Sequence, residues 1–276
     1  MLEPVRTENR KLNAKNYPQT SPAERPLAGL RVLVTRPGDQ AHELSGRLAT
    51  LGAEVLEQPG ILLSEPPDWS GVDAALARLG EFDWLVFSSS NGVRYLLDRL
   101  RRLGGGTEQL RGLKLAAIGP GTAAELGRQG LQADLVPEQF QAESLAAALA
   151  GEARGRRFLL ARANRGRQVL PEQLAAAGAQ VHEVVVYWTQ DVTAADPAIA
   201  AALDAGRIDW VTVTSSAIAR AVVGLFGDGL RKSRLASISP LTSAVLRQLS
   251  FEPAAEAQTY TMAGLVAAIV AAGGRE

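Results

Sequence analysis

The stretch 31-RVLVTRPGDQAHELSGRLATLGAEVLE-57 is written a second time as 157-RFLLARANRGRQVLPEQLAAAGAQVHE-183. The two align without a gap when 126 is added to each number (31 + 126 = 157), placing Arg36 on Arg162, Leu48 on Leu174 and Gly52-Ala53 on Gly178-Ala179. The same shift lays 83-DWLVFSSSNGVR-94 over 209-DWVTVTSSAIAR-220. For 118-IGPGTAAEL-126 and 238-ISPLTSAVL-246 the shift is 120 (118 + 120 = 238), so the second half has lost 126 − 120 = 6 residues, which fits the loop around Gly104-Gly105-Gly106. General Ala and Leu usage does not produce matches at Trp, Pro, Arg and Thr in constant register. An internal duplication does.

Within each half, short apolar runs such as 31-RVLVTR-36 and 83-DWLVFSS-89 alternate with amphipathic stretches such as 39-DQAHELSGRLATLG-52. Alternating strand and helix signals predict a parallel, helix-covered sheet in each of two α/β domains. With 276 residues and 46% hydrophobic content, the chain can bury two ordinary cores. Residues 1–26 are polar and punctuated by proline, which predicts a disordered tail.

Composition narrows the chemistry. The 29 basic and 29 acidic residues cancel, so no global field recruits nucleic acid. Cysteine is absent and histidine occurs only at His42 and His182, which leaves no thiol nucleophile, no disulfide and no ordinary zinc site. No apolar run approaches the roughly 18 to 20 residues of a membrane span, and the N-terminus lacks a signal-peptide layout. A cytoplasmic protein without membrane or nucleic-acid partners is expected.

Chemistry must then come from oxygen groups and the backbone. Strand ends at Arg36-Pro37-Gly38, Ser88 to Gly92, Gly119 to Thr122, Arg162 to Asn164, Thr214 to Ser216 and Ser239 to Thr242 all precede predicted helices. In open α/β sheets ligands sit beyond the carboxyl ends of the strands, where helix N-termini offer unpaired N–H groups suited to carboxylate or phosphate. The plain reading of these Ser and Thr residues is helix capping. Their recurrence in two matched sets points to anion binding, with Arg36, Ser88, Ser89, Ser90, Asn91, Gly119, Gly121, Thr122, Arg162, Ser215, Ser216, Ser239 and Thr242 as candidates. Gly119-Pro-Gly121-Thr-Ala-Ala124 formally satisfies a dinucleotide fingerprint, but it closes a half and its repeat reads Ser239-Pro-Leu241-Thr-Ser-Ala244, which disfavours a dehydrogenase. Tyr187 ends the β-branched run 181-VHEVVVYWT-189. It can be a packed core tyrosine, or a neutral proton donor facing a ligand.

The order and spacing of "VLVTRP" (32–37), "LVFSSSNGVRYLL" (85–97), "AAIGPGTAAELGRQGLQADLVPEQFQAESLAAAL" (116–149), "LLARANRGRQVLPEQLAAAGAQVHEVVVYWT" (159–189) and "SISPLTSAVL" (237–246) resemble the uroporphyrinogen-III synthase family from about Leu30 to Ala271. The resemblance implies two Rossmann-like α/β domains joined by a two-stranded hinge. One would contain 27–57 and 188–276, the other 62–182, with linker strands at 55–64 and 181–190. It implies a lyase of haem biosynthesis that cyclises hydroxymethylbilane to uroporphyrinogen III with inversion of the last ring, without metal or organic cofactor. A monomer is expected. The ligand's eight carboxylates suit many lysine-free turns. Carried onto this chain, the family's catalytic tyrosine falls on Tyr187, the paired "IGP-x-T" threonines on Thr122 and Thr242, and the Ser-rich turns on Ser88 to Asn91 and Ser215-Ser216. The departures are Ser239, where the family has glycine, and Leu249-Ser250-Phe251, where it has glycine in the middle. A non-catalytic two-domain sensor of a polycarboxylate metabolite is the alternative of a different class.

Overall fold

The computed structural model describes residues 25–273. The tail expected over Met1 to Pro26 therefore lies outside the described residues except at its last two. Pro26 already belongs to a turn in which Ala28 N–H donates to Arg25 C=O, and Leu27 next to it is fully buried.

In chain order the elements are β1 (Arg31–Val34), α1 (Gly38–Thr50), β2 (Glu54–Glu57), β3 (Ile61–Ser64), α2 (Ser70–Leu76), β4 (Trp84–Phe87), α3 (Ser90–Arg102), β5 (Lys114–Ala117), α4 (Pro120–Arg128) and α5 (Ala142–Ala150). They continue with β6 (Arg157–Ala163), α6 (Val169–Ala176), β7 (Gln180–Asp191), α7 (Pro197–Asp204), β8 (Trp210–Val213), α8 (Ser216–Phe226), β9 (Arg234–Ser237), α9 (Pro240–Gln248), β10 (Ala255–Glu256) and α10 (Met262–Ala272). The central strands β4 (WLVF) and β8 (WVTV) are buried along their whole length, as strands covered by helices on both faces must be. No helix among the described residues is long and apolar enough to cross a membrane.

The chain divides into two compact units, one running through Leu62 and resuming at Gln190, the other spanning Leu63–Thr189. The first holds the sheet β10-β9-β8-β1-β2 and the second the sheet β3-β7-β6-β4-β5. By the register of the repeat, β1 and β2 correspond to β6 and the start of β7, while β4 and β5 correspond to β8 and β9. Each sheet thus pairs the opening strands of one half with the later strands of the other. The exchange recurs in single hydrogen bonds. The Asp83 carboxylate accepts from Arg157 N–H at 2.8 Å, and its repeat partner Asp209 accepts from Arg31 N–H at 2.8 Å. The Arg157 amide and the Arg156 guanidinium hold the Asp83 carboxyl below the usual carboxylate range. Behind each aspartate lies a buried tryptophan with a cation over its ring: Lys114 Nζ is 5.2 Å from the Trp84 ring and the Arg234 guanidinium 4.2 Å from that of Trp210.

Residues 55–64, read above as one linker strand, are two. Glu54–Glu57 pairs with β1 in the first sheet, whereas Ile61–Ser64 neighbours β7 in the second. The break is at Gln58-Pro59-Gly60, where Pro59 has no N–H for a ladder. There Gly60 turns its N–H to Thr35 C=O at 3.0 Å, and a Cβ on Gly60 would stand 2.8 Å from Val222 Cγ1. The second linker stretch, 181–190, lies within the continuous strand β7 (Gln180–Asp191).

The matched helices α4 and α9 also end alike. Leu131 N–H donates to Leu126 C=O and Phe251 N–H to Leu246 C=O, both at 2.9 Å, closing Schellman turns. The left-handed residue in the first is Gly130 (φ 74°), but in the second it is Ser250 (φ 65°), the one described non-glycine with positive φ. Ser250→Gly is therefore expected to raise stability by about 1 kcal/mol, read as a higher urea midpoint, because the left-handed region penalises a Cβ by about that amount. An unchanged or lower midpoint would mean that the flexibility added to the unfolded chain cancels the relief.

Candidate active site

Tyr187 reaches its place through an irregularity in pairing. Along β7, Arg162 pairs with Val185 but Ala163 with Tyr187, so Val186 is the extra residue of a β-bulge. Strict alternation would set Tyr187 on the face of Val185, which is exposed. The bulge instead puts it beside Val184 and Val186, in the core that also holds Phe87, Val93 and Leu96.

The hydroxyl does not rest in apolar surroundings. Tyr187 Oη is 3.0 Å from Ser89 Oγ, and the Asn91 side chain also hydrogen-bonds it. Ser89 caps α3, its Oγ accepting from Gly92 N–H at 3.0 Å. Gly92 is needed for close approach, since a Cβ there would lie 3.1 Å from Ala161 C=O. The Tyr95 ring stacks on Tyr187 with centroids 5.5 Å apart and planes at 23°. Burial pushes the Tyr187 phenol above its ordinary value of 10.0, against the opposing effects of Ser89, Asn91, Arg162 and Arg165. The phenol is thus a neutral donor across the physiological range. When Ser89 O–H donates to Oη, the phenolic proton is left for another acceptor.

The other candidates divide by turn. Ser88 is exposed and Ser90 opens α3. Arg162 is occupied within its unit, paired with Glu183 and donating to Gln168 Oε1 at 3.1 Å and Gly166 C=O at 3.2 Å. Arg36 donates to Gln40 C=O at 3.1 Å and to Gln40 Oε1 at 3.0 Å. Ser215 caps α8, accepting from Ile218 N–H at 3.1 Å, and Ser216 is the first residue of that helix.

The paired threonine turns differ. At α4 the cap position is Gly119, which has no side chain to offer, and Thr122 is buried with its N–H donating to Gly119 C=O at 3.1 Å. A Cβ on Gly119 would meet Phe140 Cβ at 3.0 Å, whereas one on Gly121 would meet nothing within 4 Å. At α9 Ser239 fills the cap itself: its Oγ accepts from Thr242 N–H at 3.3 Å and lies 3.1 Å from Thr242 Oγ1. The first turn has no side-chain acceptor at its cap position; the second fills that position with its own serine.

The polar cluster around Tyr187 belongs to one half only. By register the counterparts of Tyr187, Asn91 and Tyr95 are Ile61, Ala217 and Ala221. Asn164, part of a strand end noted above, and Tyr95 and Arg165 were not among the candidate residues, which were chosen by agreement between halves. The usable signal lay in their disagreement.

The chain matches the family model described as uroporphyrinogen-III synthase HemD over residues 42–267. The chain belongs to that family. It is 32% identical to the uroporphyrinogen-III synthase of Synechococcus elongatus, over 90% of this chain and 97% of the other. It is 30% identical to a putative uroporphyrinogen-III synthase of Methanothermobacter thermautotrophicus, over 88% and 98%. The fold is that of a mutant uroporphyrinogen III synthase from the extremely thermophilic bacterium Thermus thermophilus, with a TM-score of 0.65 at 18% identity, covering 88% of this chain and 98% of that one. Family membership makes the chain an enzyme, a uroporphyrinogen-III synthase and so a lyase of porphyrin biosynthesis, and gives it hydroxymethylbilane as substrate and uroporphyrinogen III as product.

Proposed function

We propose that Tyr187 carries this reaction as its proton donor, working in the cytoplasm on a monomer that engages neither membrane nor nucleic acid. The supporting observation is the tyrosine's setting, a buried neutral phenol hydrogen-bonded to Ser89 with no counterpart in the other half. The phenol gives its proton to the departing hydroxyl of the terminal hydroxymethyl group, which leaves as water and generates an electrophilic azafulvene. That carbon closes on the last ring through a spiro intermediate, and ring inversion follows. The proton released on rearomatisation returns to the phenolate, so the net change is loss of one water. The substrate's carboxylates are held by strand-end turns beside Tyr187 in the second unit, foremost the turn at Gly119, Gly121 and Thr122, with Ser88 and Ser90 contributing further donors.

The test of the activity is to mix the protein with hydroxymethylbilane, oxidise, and separate the type I and type III porphyrins. A sensor without catalytic activity would leave only the type I isomer of spontaneous closure. At the threonine turns, Thr122→Ala is expected to lower kcat/KM about 2- to 13-fold, the equivalent of one hydrogen bond of about 0.5 to 1.5 kcal/mol. Thr242→Ala should cost less, because Ser239 already occupies that hydroxyl. Steady-state kinetics on both variants decide it, and the reverse order would move the carboxylate to the α9 turn.

A further inference from the structure

We propose that Asn164 is the positioning residue of Tyr187, supplying with its side chain a ladder rung that the departing backbone can no longer make. The inference rests on Tyr187 being the proton donor. In a parallel ladder, a residue's N–H and C=O bond to the residues on either side of its cross-strand neighbour. Asn164, one residue past the end of β6, still makes the first of these bonds, its N–H donating to Tyr187 C=O at 3.1 Å. The second would run from Thr189 N–H to Asn164 C=O. Thr189 N–H donates instead to Asn164 Oδ1 at 2.9 Å, while Asn164 Nδ2 lies 3.5 Å from Thr189 C=O. The main chain on both sides of Trp188 thus ends on a single asparagine. Thr189 is buried, so without Oδ1 its N–H would be left unpaired away from water.

The rung matters because of what precedes it. The bulge at Val186 turns Tyr187 from the Val185 face to the Ser89 face, and the bonds just beyond it fix the strand in that shifted register. Pairing resumes at Ala163–Tyr187, and Asn164 supplies the bonds that hold this pair and the next rung. The half without the tyrosine lacks the clamp as well, since the register partners of Asn164 and Tyr187 are Gly38 and Ile61.

The experiment compares wild type, Asn164→Ala, Asn164→Asp, Tyr187→Phe and the Ala/Phe double variant. Asn164→Ala is expected to lower kcat about 10- to 100-fold with KM little changed, as displacement of a catalytic group does, and to raise the type I fraction. Asn164→Asp keeps the acceptor for Thr189 N–H and should recover most of the rate. In the Tyr187→Phe background the alanine should cost nothing further, because Asn164 acts only through the phenol. Should Asn164→Ala not fold, Asn164→Leu removes the acceptor at similar size. Independently of turnover, the tyrosine 13Cζ resonance that disappears in Tyr187→Phe should shift in Asn164→Ala and return in Asn164→Asp. Unchanged kcat and isomer ratio, an equal loss in the Tyr187→Phe background, or an unmoved resonance would each overturn the proposal. A moved resonance in a protein whose wild type makes no type III isomer would uphold the clamp and overturn the functional reading instead.

Discussion

Tyr187→Phe is expected to lower turnover about 100- to 10,000-fold while leaving KM nearly unchanged, the range that general acid assistance supplies. Departure of hydroxide at neutral pH needs a proton, and Tyr187 is the neutral donor buried among hydrogen-bonding partners. With the substrate's carboxylates held as proposed, affinity should survive. The product mixture drifts to the type I isomer, because spontaneous closure needs no inversion. Since burial raises the phenol above its ordinary value, its protonated form persists through pH 9, and Tyr187 imposes no alkaline fall in rate below about pH 10. Kinetics on the phenylalanine variant with isomer separation test all of this. Wild-type turnover and isomer ratio would remove Tyr187 from the mechanism.

Trp210→Ala is expected to destabilise the first unit by about 3 to 5 kcal/mol, the usual cost of emptying a buried aromatic site. Trp210 is fully buried in β8 between β1 and β9, packed in the core with Leu48, Ala236, Leu265 and Ile269. Its replacement also strips the ring from beneath Arg234, whose guanidinium donates to the Ala272 and Gly273 carbonyls at 2.7 and 2.8 Å and so ties down the end of α10. Trp210→Phe should cost far less. It keeps most of the apolar volume and removes an indole N–H that has no hydrogen-bond partner among the described residues. Urea unfolding of both variants decides the matter, and a loss below about 1 kcal/mol for alanine would mean that the core closes over the gap.

The strand ends were legible because their chemistry is local. A serine before a helix caps it whichever sheet surrounds it, and Ser89, Ser215 and Ser239 all do so. Ser250 stood out only as a departure from the family's pattern; that it is the left-handed end of α9 is shown by the backbone. What the arginines at strand ends would do was less so. Arg162 read as a ligand for carboxylate and is held by Glu183, a partner supplied by the neighbouring strand.

The duplication and the alternation of short buried strands with helices were determined by the sequence alone, because each follows from residue type at fixed spacing, and the order of the motifs carried the resemblance to the family, which in turn singled out Tyr187. Two things were decided only by the tertiary structure. Residues 55–64 divide between the two sheets, since pairing partners rather than local propensity choose a strand's sheet. And Tyr187 faces Ser89 rather than the side of Val185, since a period of two in the sequence cannot announce the one-residue bulge at Val186 that reverses it.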